Sequence, residues 1–416
     1  MKMSKGRILR SPIVAGSALV ISFCVFLAAR AGQNSSSGAQ PKVDAKTAAA
    51  KRPPIRVIKD RYSSLSAVAV DGVNDEVIAT DESLFQLLAY NRLDNTPASA
   101  TLTEPKRIVS GSKTDIEFQC GLYVDPKSGD TYVVNNDTID TLIIFSHNAK
   151  GNVPPDRALK TPHGTFGIAM DEDKKELFLT SQHANAVIVF SKMAANEEAP
   201  IRLIQGDHTG LTDPHGMAID TKRKLMFVAN YGSFHSKDPK AEVVRRGKTK
   251  ANWPLETDVP GSGRILPPSI TVHALNASGD AAPLRVITGP KTQLNWATAV
   301  ALNVEPGELF VANDMGDSIL VFRETDEGNV APIRVIKGAK TGIKNPTGVF
   351  VDAKSSELWV ANFGNHTLTV YPAAAAGDVA PLRTIRSAPT GTPALMIGNP
   401  GSVTYDSKRQ EILVPN

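Results

Sequence analysis

The stretch that decides the fold spans residues 331–371. It reads Ala-Pro-Ile-Arg-Val-Ile at 331–336, Gly-Val-Phe-Val-Asp at 348–352, Leu-Trp-Val-Ala-Asn at 358–362 and Thr-Leu-Thr-Val-Tyr at 367–371. These runs are rich in β-branched and aromatic residues, and Gly, Pro, Asn or Asp bound them, which is typical of short strands. We name the strands of this unit a (348–352), b (357–362), c (367–371) and d, which begins at the next Pro-x-Arg element (382–385).

The same pattern recurs along the whole chain after residue 53. Strand a ends in Asp or Asn seven times, with successive separations of 54, 46, 49, 83, 49 and 54 residues. Four short strands in a period of about fifty residues are the signature of β-propeller blades. The sequence therefore predicts an all-β propeller of about seven four-stranded blades. The Pro-x-Arg element that opens strand d occurs at Pro54/Arg56, Pro105/Arg107, Pro155/Arg157, Pro200/Arg202, Pro283/Arg285, Pro332/Arg334 and Pro381/Arg383.

The last repeat is shorter than the others. Asn416 stands where strand b ends in the other units, so only six c strands can be counted. Residues 54–58 supply a d strand ahead of the first complete unit. The prediction is therefore an incomplete seventh blade, which is either three-stranded or continued by residues beyond Asn416, because a bare strand edge is normally covered.

The repeat resembles the NHL and YVTN-type propeller repeats. The resemblance is carried by Met-Phe-Val-Ala-Asn at 226–230, Leu-Phe-Val-Ala-Asn at 309–313 and the 348–362 unit, and it covers residues 54–416. Such propellers include sugar-lactone hydrolases, lyases and purely binding modules, so the resemblance implies fold more than function. The lactonase branch binds a metal through Glu, Asn and Asp at the channel. The resemblance places Asn230, Asn313 and Asn362 at the amide positions, and the sequence shows no distinctive inward Glu.

The N-terminus has the composition of an export segment. Four basic residues precede an uncharged stretch at 11–29, and Ala29-Arg30-Ala31 resembles a cleavage site before Gly32. Residues 1–31 are therefore predicted to be a signal peptide or an uncleaved membrane anchor, residues 32–53 a disordered linker and residues 54–416 the propeller. Either alternative places the propeller outside the cytoplasm, periplasmic or extracellular, with membrane contact only through the N-terminal segment.

Charge and cysteine content exclude some classes of partner. The first 31 residues hold five of the 46 basic residues and no acidic ones, so the remaining chain has 41 basic and 42 acidic side chains. A nucleic-acid binder would show a basic excess, and none is present. Cys24 lies in the export segment and Cys120 is alone in the propeller, so no disulfide within the propeller is predicted.

One face of the predicted ring is the place to look for a ligand site. In a meander blade the d-to-a and b-to-c connections lie at the same end, around the central channel. Strand b brings a polar residue to this face in each unit, including Asn230, Asn313 and Asn362. Such a ring could hold calcium or hydrogen-bond a sugar. Alternatively, these amides cap the turns of their own blades.

Histidines interrupt the repeat on the same face. His163 and His215 enter inner strands, and His183, His235 and His366 lie in b-to-c connections. Neutral imidazoles could ligate a metal or act as general bases. No His-Glu-x-x-His or Cys-x-x-Cys spacing occurs, so a metal site would need residues from distant loops, and the metal itself is unknown.

The 83-residue separation is explained by an insertion at residues 231–268, between strands b and c of the fourth unit. It carries Tyr231, an excess of basic residues and Trp253. Long loops without secondary structure are usually functional or disordered. The insertion is therefore either a basic lid over the channel, which would recruit an acidic ligand or a glycan, or a solvated excursion.

Together these features predict a non-enzymatic, exported binding scaffold that holds a protein or glycan ligand on the d-to-a and b-to-c face. The candidate ligand-binding residues are His163, His215, Asn230, Tyr231, His235, Trp253, Asn313, Asn362 and His366. No cofactor is required by this interpretation. The alternative is a metal-dependent, lactonase-like hydrolase or lyase with calcium or another divalent cation in the channel.

Overall fold

A computed structural model describes residue 53 and residues 60–238, 257–395 and 404–413, the backbone alone being described for 404–406 and 411–413. It contains six four-stranded antiparallel sheets, each a blade with strands in the order a, b, c, d. The first three blades are β1 (Leu65–Asp71), β2 (Glu76–Asp81), β3 (Gln86–Asn91) and β4 (Arg107–Ser110); β5 (Gln119–Val124), β6 (Thr131–Asn135), β7 (Thr141–Phe145) and β8 (Arg157–Lys160); β9 (Thr165–Asp171), β10 (Glu176–Ser181), β11 (Ala186–Ser191) and β12 (Arg202–Gln205).

The other three blades follow the same order. They are β13 (Pro214–Asp220), β14 (Leu225–Asn230), β19 (Ser269–Ala274) and β20 (Arg285–Thr288); β21 (Ala297–Asn303), β22 (Glu308–Asn313), β23 (Ser318–Arg323) and β24 (Arg334–Ile336); β25 (Pro346–Asp352), β26 (Glu357–Asn362), β27 (Thr367–Pro372) and β28 (Arg383–Arg386). The insertion in the fourth blade holds β15 (Ser233–Phe234), β16 (Lys237–Asp238), β17 (Thr257–Asp258) and β18 (Arg264–Ile265). Three short 3₁₀ helices span Pro290–Thr292, Asp314–Gly316 and Phe363–Asn365.

The aspartates that end strand a shape the turns into strand b. Asp220 Oδ1 accepts the backbone N–H of Lys222 at 2.8 Å and of Arg223 at 2.9 Å. Asp171 and Asp352 make the same pair of contacts with the residues two and three positions on. These side chains fix the a-to-b turn by mimicking a backbone turn, which explains why the acid recurs in the repeat.

The ring closes with six blades, and the prediction of seven is wrong. Strand β1 of the first blade packs directly against β25 of the sixth, and Thr347 Oγ1 donates to Ser66 O at 2.8 Å across that seam. At the outer edge, Thr96 N donates to Thr384 O at 2.8 Å. In the described part of the seventh repeat there is a two-stranded sheet, β29 (Thr404–Asp406) with β30 (Glu411–Leu413). Residues 54–58, predicted as an extra d strand, lie outside the described residues.

The correction has a physical cause. The count of repeats records how often the strand motif occurs, whereas the number of blades depends on which inner strands pack side by side. The sixth blade takes all four of its strands from consecutive chain and seals against the first blade, so no strand has to be borrowed from the other end. The expected incomplete blade is therefore not a member of the ring.

Glycines in strand a let neighbouring blades approach closely. A Cβ on Gly167 would stand 2.4 Å from His215 O, and one on Gly216 would stand 2.5 Å from Ala299 Cα. Gly121 and Gly348 are equally crowded by the backbone of the next inner strand. At these four glycines the inner strand therefore packs almost backbone to backbone against its neighbour.

The repeated arginines of strand d tie each blade to itself and to the next. Arg202 pairs with Glu176 at the start of strand b, at 2.9 Å, and donates to Leu275 O in the following blade. Arg334 repeats the arrangement with Glu308 and Ala373 O. The arginines of the Pro-x-Arg element therefore have a structural role at the outer rim of the ring.

Removing residues 404–416 tests the six-blade ring. Because blades one and six already contact each other, we expect the truncated protein to keep cooperative unfolding and a melting midpoint within about 2 °C of the full chain. Truncation before β28 should abolish folding, because it removes the seam with residues 95–103. Loss of cooperative unfolding in the first truncation, followed by circular dichroism, would contradict the closure.

No helix among the described residues is long and apolar enough to cross a membrane. The predicted export segment, residues 1–31, lies outside the described residues.

Candidate binding site at the channel mouth

The ends of strands b and the beginnings of strands a meet at one end of the ring. Leu65, which begins β1, pairs with Asp81, which ends β2, and Pro214 pairs with Asn230 in the same way. A cavity of about 70 Å³ lies between the inner strands. Its walls come from all six strands a and include Cys120, Phe166 and Thr298. We call the end of the ring where strands b finish the channel mouth.

The asparagines that end strand b are engaged within their own blades. Asn230 Oδ1 accepts the N–H of Thr212 at 3.0 Å, and its Nδ2 donates to Thr271 Oγ1 at 3.2 Å. Asn313 and Asn362 hold the equivalent loop and c strand in the same manner. The amide oxygens that would ligate a cation therefore already accept backbone hydrogen bonds from the d-to-a loop.

The residues one position beyond strand b reach sideways across the mouth. Asn136 Nδ2 donates to Gln182 Oε1 at 2.9 Å, and Gln182 Nε2 lies 2.5 Å from His215 Nε2. Tyr231 Oη is 2.9 Å from Thr298 Oγ1 of the next blade. These contacts link blades two to five. This second ring consists of Glu82, Asn136, Gln182, Tyr231, Asp314 and Phe363.

His215 is buried beside this ring and contacts two of its members, Gln182 and Tyr231. Its Nδ1 lies 3.0 Å from Asp213 O, so Nδ1 carries the proton and Nε2 accepts from Gln182. Burial lowers the pKa of His215 to about 3, with the charge of His183 acting in the same direction. The imidazole is therefore neutral near pH 7, and the lone pair that a general base would use is already occupied.

An arc of aromatic rings follows the mouth from the third blade to the fifth. The centroid of His215 is 4.4 Å from Phe166 and 3.4 Å from Tyr231, on which it stacks, and Tyr231 is 4.9 Å from Trp296. Trp296 is 51% exposed. Phe85 and Phe118 form a second pair with centroids 6.5 Å apart, and Phe85 is 39% exposed. Large aromatic faces open to solvent around a cavity are typical of ligand sites.

The second ring carries two carboxyl groups. Burial raises the pKa of Glu82 to about 8, and the charges of Asp81 and Asp314 act in the same direction. Asp314 accepts from Asn345 Nδ2 at 3.0 Å, and burial raises its pKa too. The mouth is therefore a partly desolvated site that carries acidic groups and no described basic side chain among the residues of the second ring.

Cys120 lines the cavity as a protonated thiol. It is buried in β5, and burial, together with the charges of Glu82 and Asp137, raises its pKa well above the usual range. A thiol with a raised pKa is neither a good nucleophile nor a metal ligand. Cys120 therefore contributes a small polarizable surface beside Glu82.

The other predicted histidines lie away from the arc. His163 is half exposed, 3.1 Å from Asp140 Oδ1, with its ring 4.9 Å from that of His183. His366 is fully buried, and its Nδ1 donates to Ser63 O at 2.8 Å, which fastens residues 60–64 to the sixth blade. His235 is exposed beside Gly263 on the insertion.

The insertion begins as a structured stem, which the sequence did not predict. Ser233–Phe234 pairs with Arg264–Ile265, and Lys237–Asp238 pairs with Thr257–Asp258. The buried Lys237 ammonium lies 2.6 Å from Asp258 Oδ1, and Lys237 N donates to Asp207 at 2.8 Å. Trp253 and most of the predicted basic residues lie outside the described residues.

The structure thus unites only part of the predicted site. His215 and Tyr231 stack on each other. The other predicted residues make their contacts away from the aromatic arc: His163, His235, His366, Asn230, Asn313 and Asn362. Glu82, Phe166, Trp296 and Asp314 are the members that sequence reasoning missed. One sequence signal could have indicated Glu82 and Asp314. The residue directly after strand b differs from blade to blade, whereas the residue that ends strand b is repeated. In the described part of the chain, no three His, Cys, Asp or Glu side chains are arranged to hold a metal ion.

The fold and the mouth define a six-bladed β-propeller with an aromatic, acidic channel mouth. No family model matches the chain, and no curated protein matches it. Among the solved structures that it resembles is a chain of "Kuenenia stuttgartiensis Hydrazine Synthase", with a TM-score of 0.50 and 11% sequence identity. The match covers 78% of this chain and 99% of that one. A likeness at this identity shows the propeller fold alone.

Proposed function

We propose that this protein is a non-enzymatic, exported binding propeller that holds its ligand at the channel mouth. The observation that carries the proposal is the aromatic arc, in which three stacked or tilted rings lead from buried His215 to half-exposed Trp296. Exposed aromatic side chains that surround a cavity give binding energy without requiring reactive groups. The basic and apolar N-terminus supports export.

The chemistry of the side chains also favours binding over catalysis. His215 donates to a backbone carbonyl and accepts from Gln182, Cys120 is protonated, and the asparagine oxygens accept backbone hydrogen bonds. The predicted base, His215, and the predicted asparagine ligands are therefore engaged in holding the fold, and the Cys120 thiol is protonated. A protein or glycan partner at the mouth remains the class of ligand that we propose.

The lactonase-like alternative is supported by one residue. Glu82 is a glutamate at the mouth that sequence reasoning missed, and the charge of Asp314 acts on its carboxyl. The residues do not fit the metal set that the family resemblance implies, because each oxygen of Asn230, Asn313 and Asn362 is turned toward a backbone N–H of the d-to-a loop. In addition, no three His, Cys, Asp or Glu side chains among the described residues are arranged to hold a metal ion. Calorimetric titration with calcium, zinc and manganese tests this alternative, which stoichiometric binding at the mouth would revive.

The binding proposal is tested by titrating the protein with a panel of soluble probes. The panel holds β-linked glucose and N-acetylglucosamine tetrasaccharides, a lysine-rich and an acidic decapeptide, and n-butylammonium. We expect at least one probe to bind, and Trp296→Ala to weaken that binding about tenfold, because a half-exposed aromatic anchor is lost. Met193→Ala, an exposed apolar residue outside the mouth, is the matched control. Absence of binding across the panel, or equal affinities in both variants, would contradict the proposal.

A further inference from the structure

The channel mouth combines two features that together select a cation. Aromatic rings attract cations through their negative faces, and the mouth presents Phe85, Phe118, Tyr231 and Trp296 from four different blades. The second feature is a pair of carboxyl groups, Glu82 from the first blade and Asp314 from the fifth, each of which directly follows strand b of its blade. Aromatic walls with acidic groups between them suit an organic cation better than a hydrated metal ion.

The cavity limits the shape of that cation. Its volume is about 70 Å³, which is small for a six-membered sugar ring. Its apolar lining includes Val68, Leu122, Ile168, Met217 and Val300. A linear alkyl chain fits such a space, whereas a sugar ring would have to remain outside.

Glu82 stands where it can meet the charged end of such a chain. It directly follows strand β2, and its backbone N–H donates to Ser64 O at 3.2 Å, three residues before the cavity-lining Ala67. It also interacts electrostatically with Cys120, which lines the same cavity. The side chain is partly exposed, so a ligand that enters the mouth can reach it.

We infer that the mouth recognises a primary alkylammonium group, with Glu82 as its principal counter-ion, Asp314 as a second acidic group and the aromatic residues as its walls. The inference rests on the proposed function and narrows its ligand class from a protein or glycan to a partner that presents a primary alkylammonium, such as the side chain of a lysine. A charge-assisted hydrogen bond from ammonium to carboxylate supplies the specificity for a cation over a neutral alcohol of the same shape.

The pH dependence of binding provides a second test of the role of Glu82. Burial raises the pKa of Glu82 to about 8, and the charged groups that act on it are Asp81 and Asp314. The charge of Lys344 acts in turn on Asp314 and lowers its pKa, against the larger effect of burial. Because an alkylammonium stays charged until about pH 10, binding near pH 7 must release the proton of Glu82. Affinity should therefore rise by up to about tenfold per pH unit from pH 6 to 8 and then level off.

The experiment is calorimetric titration of the protein with n-butylammonium, 1-butanol and glucosamine at pH 6, 7, 8 and 9. We expect n-butylammonium to bind with the pH dependence above and 1-butanol to fail. Glucosamine, an amino sugar, should bind at least about tenfold more weakly than n-butylammonium, since its ring cannot enter the cavity. Equal or tighter binding of glucosamine would overturn the alkyl-chain inference.

Matched variants test the counter-ion. Glu82→Gln should weaken n-butylammonium about tenfold or more and flatten the pH profile, and Asp314→Asn should weaken it while keeping the profile. Glu327→Gln, an exposed acid on another loop, should match the wild type. Circular dichroism confirms that each variant is folded. Wild-type affinity in Glu82→Gln, or no binding of n-butylammonium at all, would overturn the inference. Binding of another panel probe that depends on Trp296 would then still support the proposed function.

Discussion

Replacing Gly216 with alanine is expected to destabilise the propeller by about 3 kcal/mol or more, enough to reduce its folded yield. The new Cβ would stand 2.5 Å from Ala299 Cα and 2.6 Å from Thr298 O. Both atoms belong to the next inner strand, and a closed ring offers that strand nowhere to move. The backbone of Gly216 does not adopt a positive φ, so the steric contact alone causes the loss.

Gly72→Ala is the matched control for this substitution. Gly72 lies in an a-to-b turn, and a Cβ there would have no heavy atom within 4 Å. We expect its effect on the free energy of unfolding to be within about 0.5 kcal/mol of zero. Urea denaturation measures both variants. Similar stabilities for Gly216→Ala and the wild type would show that the inner strands are farther apart than described.

Glu82→Gln is expected to stabilise the empty protein at alkaline pH while removing its affinity for an ammonium. In the folded protein Glu82 keeps its proton up to about pH 8, and the model-peptide value for its carboxyl is 4.5. Between those values the folded state binds more protons, so the free energy of unfolding falls as pH rises. The variant has no proton to lose and avoids this loss, by about 1–3 kcal/mol at pH 8 after allowance for partial exposure of the side chain.

Chemical denaturation at pH 5, 7 and 8 measures this effect. The difference between Glu82→Gln and the wild type should be small at pH 5 and should grow toward pH 8. Glu327→Gln should show no such trend. A constant difference across the three pH values would indicate that Glu82 ionises as freely in the folded chain as in the unfolded one.

Much of the fold is predictable from local pattern. Alternating runs of β-branched residues, the turn aspartates such as Asp220 and the Pro-x-Arg edges locate the described strands, and Gly216 is visible as the start of an apolar strand. The number of blades cannot be predicted from local pattern. It depends on the contact between β1 and β25, which closes the ring at six blades. A count of repeats that includes residues 404–413 does not detect that contact.

The candidate site was harder to predict because its residues come from different blades. His215 and Tyr231 were named as separate candidates, but their stacking needs two loops to be placed side by side. Glu82 lies directly after Asp81, a repeated turn residue, and only the register of β2 shows that its side chain belongs to the mouth. Conversely, an asparagine recurs at the position of Asn230 because it supports the fold of its own blade. Repeated residues therefore indicated structural roles, and residues that vary between blades indicated the site.

Fluorine NMR of protein labelled with 5-fluorotryptophan tests the central claim, that the ligand binds at the mouth. The sequence contains three tryptophans: Trp296 at the mouth, Trp359 buried in the sixth blade and Trp253 in the insertion. With n-butylammonium as probe and Trp296→Phe for assignment, we predict a saturable shift of the Trp296 resonance and an unchanged Trp359 resonance. A Trp296 resonance that stays fixed while the probe binds, or that moves no more than Trp359, would contradict the account.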